Sequence, residues 1–218
     1  MNFIYLAILA YFIGSLPSAF MISKVKGIDI FKVGTQQAGT TNVFRVVSRR
    51  LAVLVLILDI LKGITIIFIA NSLSVSQIEF LIICLFCIFG HWNSVFTKFK
   101  GGDGIAILLG FMLGLSVIYF LAGLATFLVL WSTITRHYSR PTLIALPCSI
   151  IVFVLLATFT QTEITTGYIL SIPLIAFSVL FHIFPLVYFT THEDRSKLFV
   201  HPELSYGSDS IQAGTRAQ

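Results

Sequence analysis

Gly90-His91-Trp92-Asn93-Ser94-Val95-Phe96-Thr97-Lys98-Phe99-Lys100-Gly101-Gly102-Asp103-Gly104 separates two long apolar runs. A polar turn between two such runs belongs at or near a membrane surface. In a chain that is otherwise mostly aliphatic, it gathers a His, an Asn, two Lys and a glycine-rich ending. Glycine permits positive φ and close backbone approach, so Gly101-Gly102-Asp103-Gly104 can turn amide N–H groups toward an anion. Lys98 and Lys100 add positive charge in the same place. The alternative is a basic, glycine-rich turn that stops a span on the positive side of the membrane.

Composition supports the membrane setting. Of 218 residues, 57% are hydrophobic and 11% charged, and the mean hydropathy is +0.97. Soluble domains carry about a quarter charged residues. A span needs ~20 apolar residues, which leaves room for about six or seven spans in one domain and for no soluble module. The net charge of +5 does not point to nucleic acid, because the basic residues cluster beside spans, where anionic lipid heads attract them. The first apolar run lacks a basic n-region and a small-residue cleavage site and reads as a retained span. Cys84 and Cys87 form a C-x-x-C inside an apolar helix with no polar flank, which fits packing better than redox or metal chemistry. Nothing implies disulfides, a metal or a nucleotide cofactor.

In chain order, Phe3 to Met21 form a first span. It ends in Gly14-Ser15-Leu16-Pro17-Ser18-Ala19, a kink whose freed carbonyls need partners, with the Ser15 and Ser18 hydroxyls available. A polar segment from Lys24 to Arg50 follows. Within it, Gly34-Thr35-Gln36-Gln37-Ala38-Gly39-Thr40-Thr41-Asn42-Val43-Phe44-Arg45 places small polar donors before a helical pattern. That is a phosphate cradle with Arg45 as a bidentate clamp, or a solvated loop. It lacks the Gly-Lys-Ser/Thr ending of a Walker loop. Leu51 to Ala70 is a second span, interrupted by Asp59 and Lys62. These two share one helical face, either as a mutual ion pair or reaching toward the polar loops. Phe80 to Phe96 is a third span. The run from Ile105 to Thr135 is too long for one span, and Gly110, Gly114 and Ser116 suggest a break into a fourth and a fifth. Pro141 to about Phe159 and Tyr168 to Phe189 complete the set, and residues 204–218 are expected to be a disordered tail.

The charges test this layout. With seven spans, segments 24–50, 98–104, 136–141 and the tail share one side and hold thirteen of the fourteen Lys and Arg, Lys62 being the exception. The fold expected is therefore an all-α polytopic membrane protein of about seven transmembrane helices, amino terminus outside and carboxyl terminus cytoplasmic. Residues 1–203 form its single membrane domain. No internal repeat stands out, which argues against a transporter built from inverted repeats.

These residues also resemble a known family. Gly14 to Ala19, Gly27-Ile28-Asp29-Ile30, Gly34 to Arg45, Asp59-Ile60-Leu61-Lys62-Gly63, Gly90-His91 and Phe99 to Gly104 look like the bacterial acyl-phosphate:glycerol-3-phosphate acyltransferases, from about Phe3 to about Glu203. The resemblance implies seven spans in the bacterial inner membrane, with the motifs on the cytoplasmic face. It implies acyl transfer from acyl-phosphate to the 1-hydroxyl of glycerol 3-phosphate, giving lysophosphatidic acid for phospholipid synthesis. Carried over by position, Ser139 and His192 orient the substrates. Ser15, Gly34, Gly39, Thr41, Asn42, Arg45, Lys62, Lys100, Gly101, Gly102 and Gly104 bind substrate or phosphate. Asp59, His91, Asp103 and Arg195 are further candidates, and His91 reads equally as a span-end histidine bonded to backbone. Gln36, Gln37 and Ala38 depart from the family's Gly-Asn-Pro, Ser94 stands at a family Pro, and Arg195 at a family Asn. Asp103 stands where the family carries Lys. A carboxylate facing a bound phosphate there weakens anion binding by several kcal/mol at about contact distance in a dry site.

Two anionic substrates need two sets of donors, and an acyl phosphate is already activated. A strong protein nucleophile is then unnecessary, and the family resemblance implies that a substrate phosphate oxygen accepts the hydroxyl proton. Two other readings stay open. One is a paralogue that kept the fold and binds lipid or phosphate without turnover. The other is a small anion transporter with Asp59 and Lys62 in its pathway.

Overall fold

The computed structural model describes residues 3–134, 142–159, 168–169, 171–173 and 175–180, and every regular element among them is helical. Helix α1 (Phe3–Ser15) and helix α2 (Ser18–Val25) are separated by Leu16-Pro17. A loop leads to the short α3 (Thr40–Val46) and then to α4 (Arg49–Ser72). Helices α5 (Gln77–Trp92), α6 (Ile105–Leu115), α7 (Val117–Ile134) and α8 (Thr142–Phe159) follow. Four stretches are long and apolar enough to cross a membrane: Phe3–Val25, Arg49–Ser72, Gln77–Thr97 and Val117–Ile134. Ile105–Leu115, Ile144–Phe159 and Ser171–Leu180 are shorter apolar helices.

Two sequence expectations about boundaries need revision. The first span is two helices, because Pro17 has no N–H to donate and helix α1 ends before it. The third begins at Gln77, three residues before the apolar run. There the Glu79 N–H donates to Ser76 Oγ at 3.4 Å and the Ser76 N–H donates to Glu79 Oε2 at 2.9 Å. This reciprocal cap has a Ser-x-x-Glu signature that is visible in the sequence. The break between α6 and α7 falls at Ser116, with φ −162° and ψ 118°. Gly110 and Gly114, read as part of that break, are instead packing residues.

The helices meet backbone to backbone. A Cβ on Gly14 would sit 1.9 Å from the Cys87 carbonyl oxygen, and one on Gly90 2.1 Å from that of Tyr11. Helix α1 therefore lies directly on α5. Helix α4 crosses α6 in the same way: a Cβ on Gly63 would sit 2.4 Å from the Ile107 oxygen and one on Gly110 2.2 Å from the Ile60 oxygen. In a bilayer, apolar burial drives little helix association, and such close small-residue crossings supply it through dispersion. The main core runs through α1, α4, α5, α6 and α8 and includes Phe80, Phe111 and Phe153. A smaller core of Ala19, Ile30, Ala38, Val43, Ala52 and Val55 sits under the polar loop. Helix α7 packs on α8, and Gly123 is its only buried residue. At the end remote from that loop, the Tyr168 hydroxyl donates to the Val75 carbonyl and its ring stacks on Phe80 with centroids 4.3 Å apart.

Candidate functional site

The break between α1 and α2 is held from outside. Ser94 Oγ donates to the Ser15 carbonyl at 2.6 Å and Lys62 Nζ to the Leu16 carbonyl at 2.5 Å. Residues from two other helical segments thus take the carbonyls that the break leaves over. The Ser15 and Ser18 hydroxyls, expected in that role, look elsewhere: Ser15 Oγ donates to the Gly90 carbonyl at 3.2 Å and Ser18 Oγ to Asp59 Oδ1 at 2.6 Å. Lys62 and Asp59 form an ion pair of 2.7 Å, with both side chains buried. The mutual pair and the reach toward the polar end are therefore one arrangement. The Lys62 ammonium, expected against a phosphate, has three protein acceptors, the third being Ser18 Oγ at 3.4 Å.

The loop before α3 winds around Asn42, which is 1% exposed. Its Nδ2 donates toward the carbonyls of Ile30, Val33 and Gln37 at 3.1, 3.0 and 3.0 Å, and its Oδ1 accepts from the Thr35 N–H at 2.9 Å. The Asn42 side chain, expected at a phosphate, is thus occupied in holding the loop. Gly34 belongs to the same knot. Its φ is +58°, and a Cβ there would strike Asn42 Oδ1 at 2.1 Å. Thr41 and Arg45 lie on the exposed side of α3. Gly39 is the residue before α3, and a Cβ on it would come only within 4.0 Å of Gly102 Cα.

The 90–104 turn docks onto that loop. The Ala38 N–H donates to the Gly101 carbonyl at 2.9 Å, and the Gly102 N–H to the His91 carbonyl at 3.1 Å. The Gly102 amide is thus not aimed at an anion, because closing the turn takes it first. A Cβ on Gly102 would lie 2.4 Å from His91 Nε2 and 2.7 Å from the Ala38 oxygen, so only glycine fits between them. Gly104, at φ +87°, precedes α6, and Trp92 Nε1 donates to the Asp103 carbonyl at 3.1 Å.

Asp103 bonds to the start of α6. Its Oδ1 accepts from the Ile105 N–H at 3.1 Å, in the first turn of α6, where the helix dipole favours a negative group. Loss of water around the carboxyl pushes its pKa up, against the lowering pull of the Ile105 N–H.

These pieces enclose one narrow cleft. Gly14 to Ser18, Ala38, His91, Ser94, Lys100 and Gly101-Gly102 line it. Lys100 Nζ lies 5.8 Å from the Phe31 ring centroid, which steers the ammonium along the rim. The Asp59–Lys62 pair is neutral as a unit, so Lys100 gives the cleft its positive charge. Among the described residues, no three His, Cys, Asp or Glu side chains converge as a metal site would require.

Residues 4–199 match the family model for glycerol-3-phosphate acyltransferase. The chain belongs to that family. The glycerol-3-phosphate acyltransferase of Geotalea daltonii is 38% identical over 151 residues, 66% of this chain and 78% of that protein. The one from Ehrlichia ruminantium is 35% identical over 189 residues, 86% of this chain and 88% of that protein. Among solved structures, the glycerol 3-phosphate form of PlsY (YgiH), an integral membrane glycerol 3-phosphate acyltransferase, superposes with a TM-score of 0.73 at 26% identity. The match covers 89% of this chain and 95% of that one. Its lysophosphatidic acid form gives 0.70 at 25% identity.

Within this acyltransferase-family chain, the fold brings together Ser15, His91, Lys100, Gly101 and Gly102 at the cleft, with Asp59 and Lys62 directly behind its wall. Gly34, Asn42, Asp103 and Gly104 shape the loops that form it. Thr41 and Arg45 stand outside its lining. Ser139, His192 and Arg195 lie outside the described residues, as does the tail. Ser94 was noted in the sequence only as a departure from a family proline, yet its hydroxyl bridges the α1 break and the 95–97 turn, accepting from the Phe96 N–H at 3.3 Å. A serine at the foot of a span, two residues after the helix end, is the signal that marks it.

Proposed function

We propose that this chain is an integral-membrane enzyme that moves an acyl group from an acyl-phosphate to the 1-hydroxyl of glycerol 3-phosphate. The observation that carries the reading is the convergence of the α1–α2 break, the 34–39 loop and the 90–104 turn on one cleft, in a chain that matches the family from residue 4 to residue 199. The Lys100 ammonium and the Gly101 N–H, which has no partner among the described residues, receive a substrate phosphate. Arg45, exposed on α3, meets the second anion as it arrives. His91 lies at the floor and fixes the glycerol hydroxyls. The hydroxyl oxygen attacks the acyl carbonyl carbon, the bond from that carbon to the phosphate oxygen breaks, and a phosphate oxygen takes the proton. The products are lysophosphatidic acid and inorganic phosphate. Ser139 and His192 orient the substrates in this scheme, and no cofactor enters it. The hydrogen bond that Asp103 accepts from the Ile105 N–H supports turnover, because it occupies one carboxylate oxygen away from the substrate in this scheme.

The seven-span layout belongs to the same proposal: bacterial inner membrane, amino terminus outside, cleft and carboxyl terminus cytoplasmic. It is supported by the excess of Lys and Arg around the cleft and by the Val75–Tyr168 contact at the opposite end, between two segments that carry no basic residue.

The test is phosphate release by the purified, detergent-solubilised protein given palmitoyl-phosphate, with and without glycerol 3-phosphate, with lysophosphatidic acid identified by mass. Acceptor-dependent release with matching product establishes the reaction. Tight binding of both substrates with no product defeats it in favour of a binding protein.

A further inference from the structure

Lys62 is a cation buried in the middle of a span, and its chemistry invites the role of anion ligand. The geometry assigns it another. An ammonium has three protons. Those of Lys62 face the Leu16 carbonyl, Asp59 Oδ1 and Ser18 Oγ, and the residue is 6% exposed. Asp59, 1% exposed, accepts from both Lys62 and the Ser18 hydroxyl. Buried ion pairs are weak sources of stability, and well-packed apolar residues often replace them without loss. At bilayer depth the desolvation cost is larger still. What apolar residues cannot do is bind a free carbonyl and a hydroxyl. Leu16 and Ser18 are the two residues on either side of Pro17, and both line the cleft.

We infer that Asp59 and Lys62 are positioning residues for acyl transfer. Acting through Leu16 and Ser18, they hold the α1–α2 break as a fixed wall of the cleft that Lys100 also lines, and glycerol 3-phosphate is seated against it. The inference rests on the acyltransferase reading for its substrate, and on the hydrogen bonds alone for the clamp. It separates two functions that a buried lysine could serve. As a ligand, Lys62 would gain from losing its carboxylate partner, since the freed ammonium would bind the anion better. As a clamp, it would lose.

The experiment compares full-length Asp59→Asn, Lys62→Met, Lys62→Arg and the Asp59→Asn/Lys62→Met double variant for steady-state kinetics and thermal unfolding. The double variant holds no unpaired buried charge, and its unfolding temperature is expected to return close to that of the wild type. Its KM for glycerol 3-phosphate stays raised about tenfold with a much smaller change in kcat. Lys62→Arg, which keeps several donors, restores part of the KM. A double variant with wild-type KM and kcat would reduce the pair to packing and overturn the inference. So would an Asp59→Asn variant with a lowered KM. Should the double variant not fold, Ser18→Ala removes one anchor and leaves the ion pair intact; a raised KM supports the clamp and an unchanged one overturns it. A wild-type protein without activity defeats the acyltransferase reading alone. The clamp is then read by hydrogen exchange in Lys62→Met, where the amides of residues 18–22 exchange at least about tenfold faster if it exists and at the wild-type rate if it does not.

Discussion

Asn42 and Asp103 show how a polar residue in a motif can serve the backbone rather than the substrate. Asn42 joins four backbone groups of its own loop, and Asn42→Ala leaves three carbonyls, that of Ile30 buried, and one N–H without that partner. The expected loss is about 2–4 kcal/mol, read as a lowered unfolding temperature together with lost activity. An Asn42→Ala protein with native stability and a raised KM would return the residue to the substrate. Asp103 has its pKa raised above the ordinary value near 3.8 by burial. An acid whose folded pKa is raised binds its proton more tightly when folded. Its stabilisation is therefore full below the ordinary value and disappears as pH rises through the folded one. Asp103→Asn keeps an oxygen for the Ile105 N–H and removes the titration. Its unfolding temperature is expected to fall less than that of the wild type as pH is raised through the mildly acidic range; parallel curves would count against a titrating Asp103. The sequence made both residues conspicuous. It could not give their partners, because a backbone carbonyl twelve residues away has no signature in a string of letters. The Lys expected by family pattern at Asp103 led toward a phosphate, whereas the side chain is set by the helix that begins two residues later.

Among the elements, the α1–α2 break and the α4–α6 crossing were legible to different degrees. Gly14-Ser15-Leu16-Pro17 announced a kink, because proline removes a donor and glycine weakens a helix. The residues that hold the kink come from α4 and from the foot of α5, far off in sequence and so out of view. If those residues hold the break, proline itself is secondary. Pro17→Ala is expected to keep activity within about threefold and to change stability by less than about 1 kcal/mol, since Lys62 and Ser94 still bind the Leu16 and Ser15 carbonyls. A large loss in kcat and stability together would restore proline as the cause. The glycines of α6 were misread as a break because a glycine that weakens a helix and one that admits a neighbour look alike in sequence. Gly110→Ala distinguishes them. Its Cβ would meet the Ile60 carbonyl oxygen at 2.2 Å. Over-packing of this kind costs typically about 1–3 kcal/mol, visible as early unfolding in detergent, and a neutral substitution would mean that the crossing can slide apart.

For the whole molecule, composition and charge were the most legible features. An all-helical membrane chain follows from apolar runs and sparse charge. That reasoning holds because bilayer physics acts on averages over about twenty residues rather than on any one contact. The side of the membrane, expected from where Lys and Arg gather, is for experiment to read. Orientation can be read by single cysteines in a background lacking Cys148, the least buried of the three native thiols. Ser74→Cys, in the exposed loop between α4 and α5, is expected to react with an impermeant thiol reagent in intact cells. Lys98→Cys, beside the cleft, reacts only after the cells are opened, and the reverse pattern would invert the molecule. The loose packing of α7 carries a last consequence. A helix whose one fully buried residue is a glycine, with its other side chains half-buried or exposed, is constrained by composition more than by spelling. Libraries that exchange Leu, Ile, Val and Phe freely along α7 should keep most of their members, while the same libraries on α5 should lose most of theirs. Among the described helices, α7 is thus where related chains have most freedom to drift apart.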